Sequence, residues 1–107
     1  AWLVNTGWTG GAYGVGKRID LASTRAIIDA IHAGALDSAP VQRDRVFGLD
    51  AVTRVPGVDE RLLLPHRAWS DEASWEAAAR KLAARFKENF AQYADEAGPD
   101  VLAAGPS

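Results

Sequence analysis

Residues Gly11-Ala12-Tyr13-Gly14-Val15-Gly16-Lys17-Arg18 come within one position of the phosphate-cradling pattern G-x-x-x-x-G-K-[ST]. In that pattern backbone N–H groups hold the phosphates, the lysine reaches the terminal ones, and the small hydroxyl ligates Mg²⁺. Here Arg18 takes the hydroxyl's place. A guanidinium cannot coordinate a cation, and it repels the metal that accompanies ATP. Helical periodicity begins only near Ala22, so the N–H groups after Lys17 need not aim at a phosphate. Two other readings stand beside the phosphate loop. One is a glycine-rich turn with Lys17 and Arg18 solvated. The other is a loop that touches another part of a nucleotide, Arg18 stacking on a base and Thr24 offering its hydroxyl to ring or exocyclic nitrogens. The missing hydroxyl disfavours the phosphate loop, but residue chemistry alone does not choose among the three.

The remaining candidates read blandly. His32 falls on a helix and His66 follows Pro65 in a turn, and neither has acidic or histidine partners at metal-ligand spacing. Asp20, shortly before a helix, reads as a cap or turn residue. Trp75 belongs to a core stripe, and Trp2 and Trp8 flank the glycines as buttresses. Arg25 and Asp29, four apart on a helix, make an exposed pair worth a few tenths of a kcal/mol at most, about 0.5.

The elements that must position these residues can be read along the chain. Trp2-Leu3-Val4, stopped by Asn5-Thr6-Gly7, predicts a buried strand. Five glycines follow within ten residues, at 7, 10, 11, 14 and 16, with Trp8, Tyr13 and Val15 among them, which predicts an ordered loop. A helix from Ala22 or Ser23 buries Thr24, Ile27, Ile28 and Ile31 and stops at Gly34. The stretch from Asp37 to Arg45 reads as a polar turn, and Val46 to Val55 as β-prone up to Pro56-Gly57. Leu62-Leu63-Leu64 suggests an edge strand. Ser70 or Asp71 caps a long helix to about Glu96, with an apolar stripe at Trp75, Ala79, Leu82, Phe86, Phe90 and Tyr93. It reads as docked on a domain rather than as half of a coiled coil.

Asn5-Thr6-Gly7-Trp8, the glycine loop, Gly16-Lys17-Arg18-Ile19 and Thr24-Arg25-Ala26-Ile27-Ile28-Asp29-Ala30-Ile31 resemble, in order and spacing, the C-terminal part of ATP-dependent phosphoenolpyruvate carboxykinases. Looser matches keep register through Phe47-Gly48-Leu49, Pro56-Gly57-Val58, Leu63-x-Pro65, Leu82-Ala83, Phe86 and Asn89-Phe90. The resemblance implies a mixed α/β fragment, residues 1–107 forming the C-terminal part of a nucleotide-binding domain whose P-loop and metal ligands lie upstream. It implies an enzyme converting oxaloacetate and ATP to phosphoenolpyruvate, ADP and CO₂ in gluconeogenesis, with Mg²⁺ and Mn²⁺ as metals. It places Arg18, Ile19 and Thr24 on the adenine side of the ATP site, and no catalytic or metal-ligating residue in this stretch. The fragment alone is then expected to be inactive, with the remainder of the polypeptide, ATP and oxaloacetate as the parent's partners. One departure is Val52 after Phe47-Gly48-Leu49, where the family usually has Pro, a change expected to bear on a loop's stiffness. The rival expectation is a standalone nucleotide-binding or interaction module without catalysis.

Composition bounds these readings. The chain has 107 residues, 48% hydrophobic and 24% charged, with a net charge of −2, which suits one small domain. No like-charge block points to nucleic acid or membrane. With no Cys, disulfides and thiolate metal sites are excluded. No apolar run approaches the ~20 residues of a membrane span and no signal peptide is visible, so the expected location is cytoplasmic. The absence of Met and the abrupt apolar start suggest a cut-down polypeptide.

Overall fold

Asp20 opens the first long element of the computed structural model, which describes residues 1–106. Its carboxylate accepts the Ser23 N–H, one of the donors that a helix leaves orphaned at its start, and α1 runs from Leu21 to His32. Gly34, at φ 72°, reverses the chain just beyond the helix. Before α1 stands a small antiparallel hairpin of β1 (Trp8–Thr9) and β2 (Lys17–Arg18), with Trp8 opposite Arg18. After it stands a second hairpin, β3 (Val41–Arg43) with β4 (Asp50–Val52), Val41 opposite Val52. Among the described residues four more helices follow: α2 (Glu60–Leu63), α3 (Pro65–Ala68), α4 (Glu72–Phe90) and α5 (Pro99–Ala103). A 3₁₀ segment, Ala91–Glu96, extends α4. The class is α/β, as expected, with two separate two-stranded sheets among the described residues.

Two apolar clusters hold these pieces. Val46, fully buried, packs with Trp75, Ala79 and Ala83 of α4, flanked by Phe47 and Trp69. Leu36, Val55 and Val58 form the second, against which Ala26, Ile27, Ala30 and Ile31 lay the inner face of α1. An exposed charge network clips the second hairpin to α4. The Arg45 guanidinium donates to Glu72 at 2.9 Å and Glu76 at 3.0 Å while lying 5.7 Å from the centre of the Trp75 ring. Each exposed pair contributes little alone; the shared guanidinium fixes geometry.

Several expectations need correction. Trp2-Leu3-Val4 is no strand: residues 1–6 lie outside any element, and Leu3 is 86% exposed because no strand among the described residues pairs with it. The polar stretch before Arg45 contains β3, and the β-prone stretch begins with a turn centred on Val46 rather than a strand. That turn forms because the Asp44 carboxylate accepts the N–H groups of Val46 and Phe47. Leu62 and Leu63 lie in α2, which Asp59 caps and Pro65 cuts short by starting α3. Val52 lies on β4, paired with Val41, so it sits in a strand and not in a loop. The long helix starts at the expected Asp71 cap but leaves α geometry after Phe90. Of its apolar stripe, Trp75 and Ala79 are buried together with Ala83, whereas Leu82 and Phe86 stay 45% and 54% exposed.

Candidate functional site

The glycine segment is a hairpin loop folded back on itself. Asn5 sets its entry: its Oδ1 accepts the Gly7 N–H at 2.9 Å and its Nδ2 donates to the Trp8 carbonyl at 3.0 Å. At the tip Val15 and Gly16 both donate to the Ala12 carbonyl, at 3.0 and 2.8 Å. Gly10 and Gly14 take φ of 79° and 88°, conformations in the left-handed region that favours glycine. Gly16 has a different reason to be glycine. A Cβ there would collide with the carbonyl oxygens of Gly11 and Thr9. Trp8 meets Tyr13 edge-to-face at 5.2 Å, so Trp8 buttresses the loop as expected. Trp2 makes no ring contact among the described residues.

This geometry gives the physical reason why the near-match is not a phosphate loop. Lys17 lies on β2 opposite Thr9, and the helix begins only at Leu21, after Asp20 has capped it. The Val15 and Gly16 N–H groups are therefore spent on the turn of a hairpin, and the loop does not run into a helix N-terminus.

Arg18, Ile19 and Thr24 lie along one short path from strand to helix. Arg18 ends β2, exposed, with no carboxylate partner among the described residues. Ile19 is 7% exposed, and its N–H continues the hairpin by donating to the Gly7 carbonyl at 2.8 Å. Thr24 sits half-buried in the first turn of α1, its N–H on the Asp20 carbonyl at 3.2 Å. Its hydroxyl makes no hydrogen bond among the described residues. Among the described residues Arg18 thus offers an unpaired planar cation and Thr24 an unpaired hydroxyl, while the Ile19 side chain is buried. A cleft of about 70 Å³ lies elsewhere, between Arg43, Asp44, Leu64, His66 and Trp75, and none of the three residues lines it.

Asp20 is the cap that its position suggested. Its carboxylate accepts the Ser23 N–H at 2.9 Å and the Ser23 hydroxyl at 2.7 Å, and these bonds hold its pKa below the usual value. Asn5-Thr6-Gly7 is legible in the sequence as a stop, whereas the two bonds by which Asn5 closes the hairpin entry depend on where the Trp8 carbonyl lies. No group of three His, Asp or Glu side chains could hold a metal ion among the described residues. His66 instead lies 5.5 Å from the Trp75 ring. No helix among the described residues is long and apolar enough to cross a membrane.

Comparison with known proteins adds to this picture. Residues 1–61 match the family model described as phosphoenolpyruvate carboxykinase, the ATP-dependent form. The chain is 50% identical over 106 residues to phosphoenolpyruvate carboxykinase (ATP) of Dictyostelium discoideum, covering 99% of this chain and 19% of that protein. It is 50% identical over 103 residues to the Paracoccus denitrificans protein of the same name, covering 96% and 19%. It is 49% identical over 105 residues to that of Thermus thermophilus, covering 98% and 20%. The chain thus spans about a fifth of the length of these curated relatives.

Proposed function

The chain belongs to the ATP-dependent phosphoenolpyruvate carboxykinase family, and from that premise we propose that it forms the adenine-side wall of the ATP site in such an enzyme. The enzyme would convert oxaloacetate and ATP to phosphoenolpyruvate, ADP and CO₂, a step of gluconeogenesis. Arg18 would pack on or beside the base, Ile19 would contribute backbone and an apolar wall, and Thr24 would hydrogen-bond. One observation carries this reading above the others. Arg18 and Thr24 are a cation and a hydroxyl left without partners on either side of a buried Ile19, which the hairpin fixes in place.

Phosphoryl transfer rests on positioning and on charge stabilisation. This chain's part would be the first: to hold the base so that the far end of the nucleotide meets its acceptor. Divalent ions supply the charge stabilisation when bound, and no residue cluster in the described part of this chain fits one. The remainder of the polypeptide would therefore bring those ligands and the groups that hold oxaloacetate. The 107-residue chain alone would be inactive.

The test is kinetic, in a full-length carboxykinase carrying this segment. Arg18→Ala is expected to raise KM for ATP roughly tenfold, the scale of a desolvated cation–π contact, with KM for oxaloacetate unchanged. An unchanged KM for ATP would sink the proposal. Turnover by the isolated chain above a metal-only control would sink its second half.

A further inference from the structure

The path from Arg18 to Thr24 has a single joint. On one side Ile19 is fixed to the hairpin, its N–H on Gly7 and its side chain buried. On the other, Ser23 and Thr24 belong to the first turn of α1. Only Asp20 lies between Ile19 and that helix, with φ −67° and ψ 151°, and rotation there would swing the first helical turn against the strand.

Apolar packing does not hold that turn. Leu21 is 62% exposed and Ala22 is exposed, and the contacts of α1 with the buried cluster begin only at Ala26 and Ile27. Two kinds of bond fix the turn to the joint: the Thr24 N–H on the Asp20 backbone carbonyl at 3.2 Å, and the Asp20 carboxylate, with one oxygen on the Ser23 N–H and the other on the Ser23 hydroxyl. The carboxylate is exposed and makes no ion pair among the described residues, so its bonds serve this joint.

We propose that Asp20 is a positioning residue for nucleotide binding: by locking the first turn of α1 through Ser23, it sets the spacing of Thr24 from Arg18 across the base. This inference rests on the adenine-wall reading above and deepens it. Asp20 itself need not touch the nucleotide. Loss of the lock would blur the site for the base while leaving the phosphate end, which this chain does not form, as it was.

The experiment uses the full-length carboxykinase carrying this segment and compares Asp20→Ala, Asp20→Asn and Arg18→Ala. Asp20→Ala is expected to raise KM for ATP about threefold to tenfold, the range that loss of a cap brings, at unchanged kcat. The inhibition constant of inorganic tripolyphosphate, which has no base, should not move. Asn caps as well as Asp, so Asp20→Asn should stay within about twofold of the parent. If Asp20→Ala fails to fold, Ser23→Ala removes only the hydroxyl bond and should raise KM for ATP about fourfold. Should Arg18→Ala raise KM for ATP while neither lock variant does, the positioning role is wrong and the nucleotide reading survives. Tripolyphosphate binding that weakens in parallel would mean general loosening, and would overturn the inference as well. If Arg18→Ala itself changes nothing, the nucleotide reading fails and takes this inference with it.

Discussion

Gly16 shows how little freedom a single position in the hairpin has. A methyl group there would strike the carbonyls of Gly11 and Thr9, both backbone atoms that cannot step aside without parting the strands. Gly16→Ala is therefore expected to cost about 1–3 kcal/mol, read as a lowered thermal midpoint. Gly14 differs: a Cβ there would meet open space, and only its φ of 88° resists substitution. The glycines and the rings among them mark an ordered loop in the sequence, but their separate reasons depend on which carbonyls come close, and spacing does not encode that. The site residues behaved likewise. Arg18 and Thr24 were named for their chemistry and stand unpartnered. That they share one joint at Asp20 became visible only with the cap bonds.

At the scale of elements, aspartates start three helices: Asp20 for α1, Asp59 for α2 and Asp71 for α4. Each carboxyl is held below its ordinary pKa, Asp20 by Ser23, Asp59 by Arg61 and Asp71 by Ser74 and Ala73. Glu76 is lowered too, by Arg80 first and then by Arg45. The sign follows from linkage. A carboxyl more acidic when folded adds stability that is fully present above its unfolded pKa, about 4, and is lost as pH falls through the lower folded value. Helicity followed by circular dichroism should hold from neutral pH to about pH 4 and fall below it. Asp71→Asn should flatten part of that acid limb. The long helix was legible because a cap, a period and a length all agreed. Leu62-Leu63-Leu64 was not, since three leucines before a proline suit a short helix as well as a strand, and the Asp59 cap decides. Trp2-Leu3-Val4 has β-prone composition, yet a strand exists only where another pairs with it.

At the scale of the molecule, surface and core are out of proportion. A compact protein of 11.4 kDa should expose about 5,800 Å². This chain exposes 7776 Å², roughly 2,000 Å² more by the same relation. Its radius of gyration is 15.2 Å, against about 13 Å for a compact chain of this length. Large apolar side chains stay exposed, including Leu82, Phe86, Tyr93, Val101 and Leu102 toward the chain's end. So slender a core tolerates little. Trp75→Ala, removing the largest buried side chain of the α4 cluster, should cost about 3–5 kcal/mol, comparable with the whole stability of a marginal domain. Denaturant titration of the isolated chain should likewise give a shallower slope than its length implies, because less surface is hidden to begin with. The Arg45 clip also orders events in time. It joins positions 27 apart, whereas both hairpins and the helices close over short spans. Local pieces form within microseconds and distant ones wait for loop closure. A folding chain should therefore pass through an interval in which α4 is already wound and Arg45 has yet to reach it, and a stopped-flow fluorescence trace, recorded with Trp2→Phe, Trp8→Phe and Trp69→Phe in place so that Trp75 alone emits, would report the moment the guanidinium arrives over the ring.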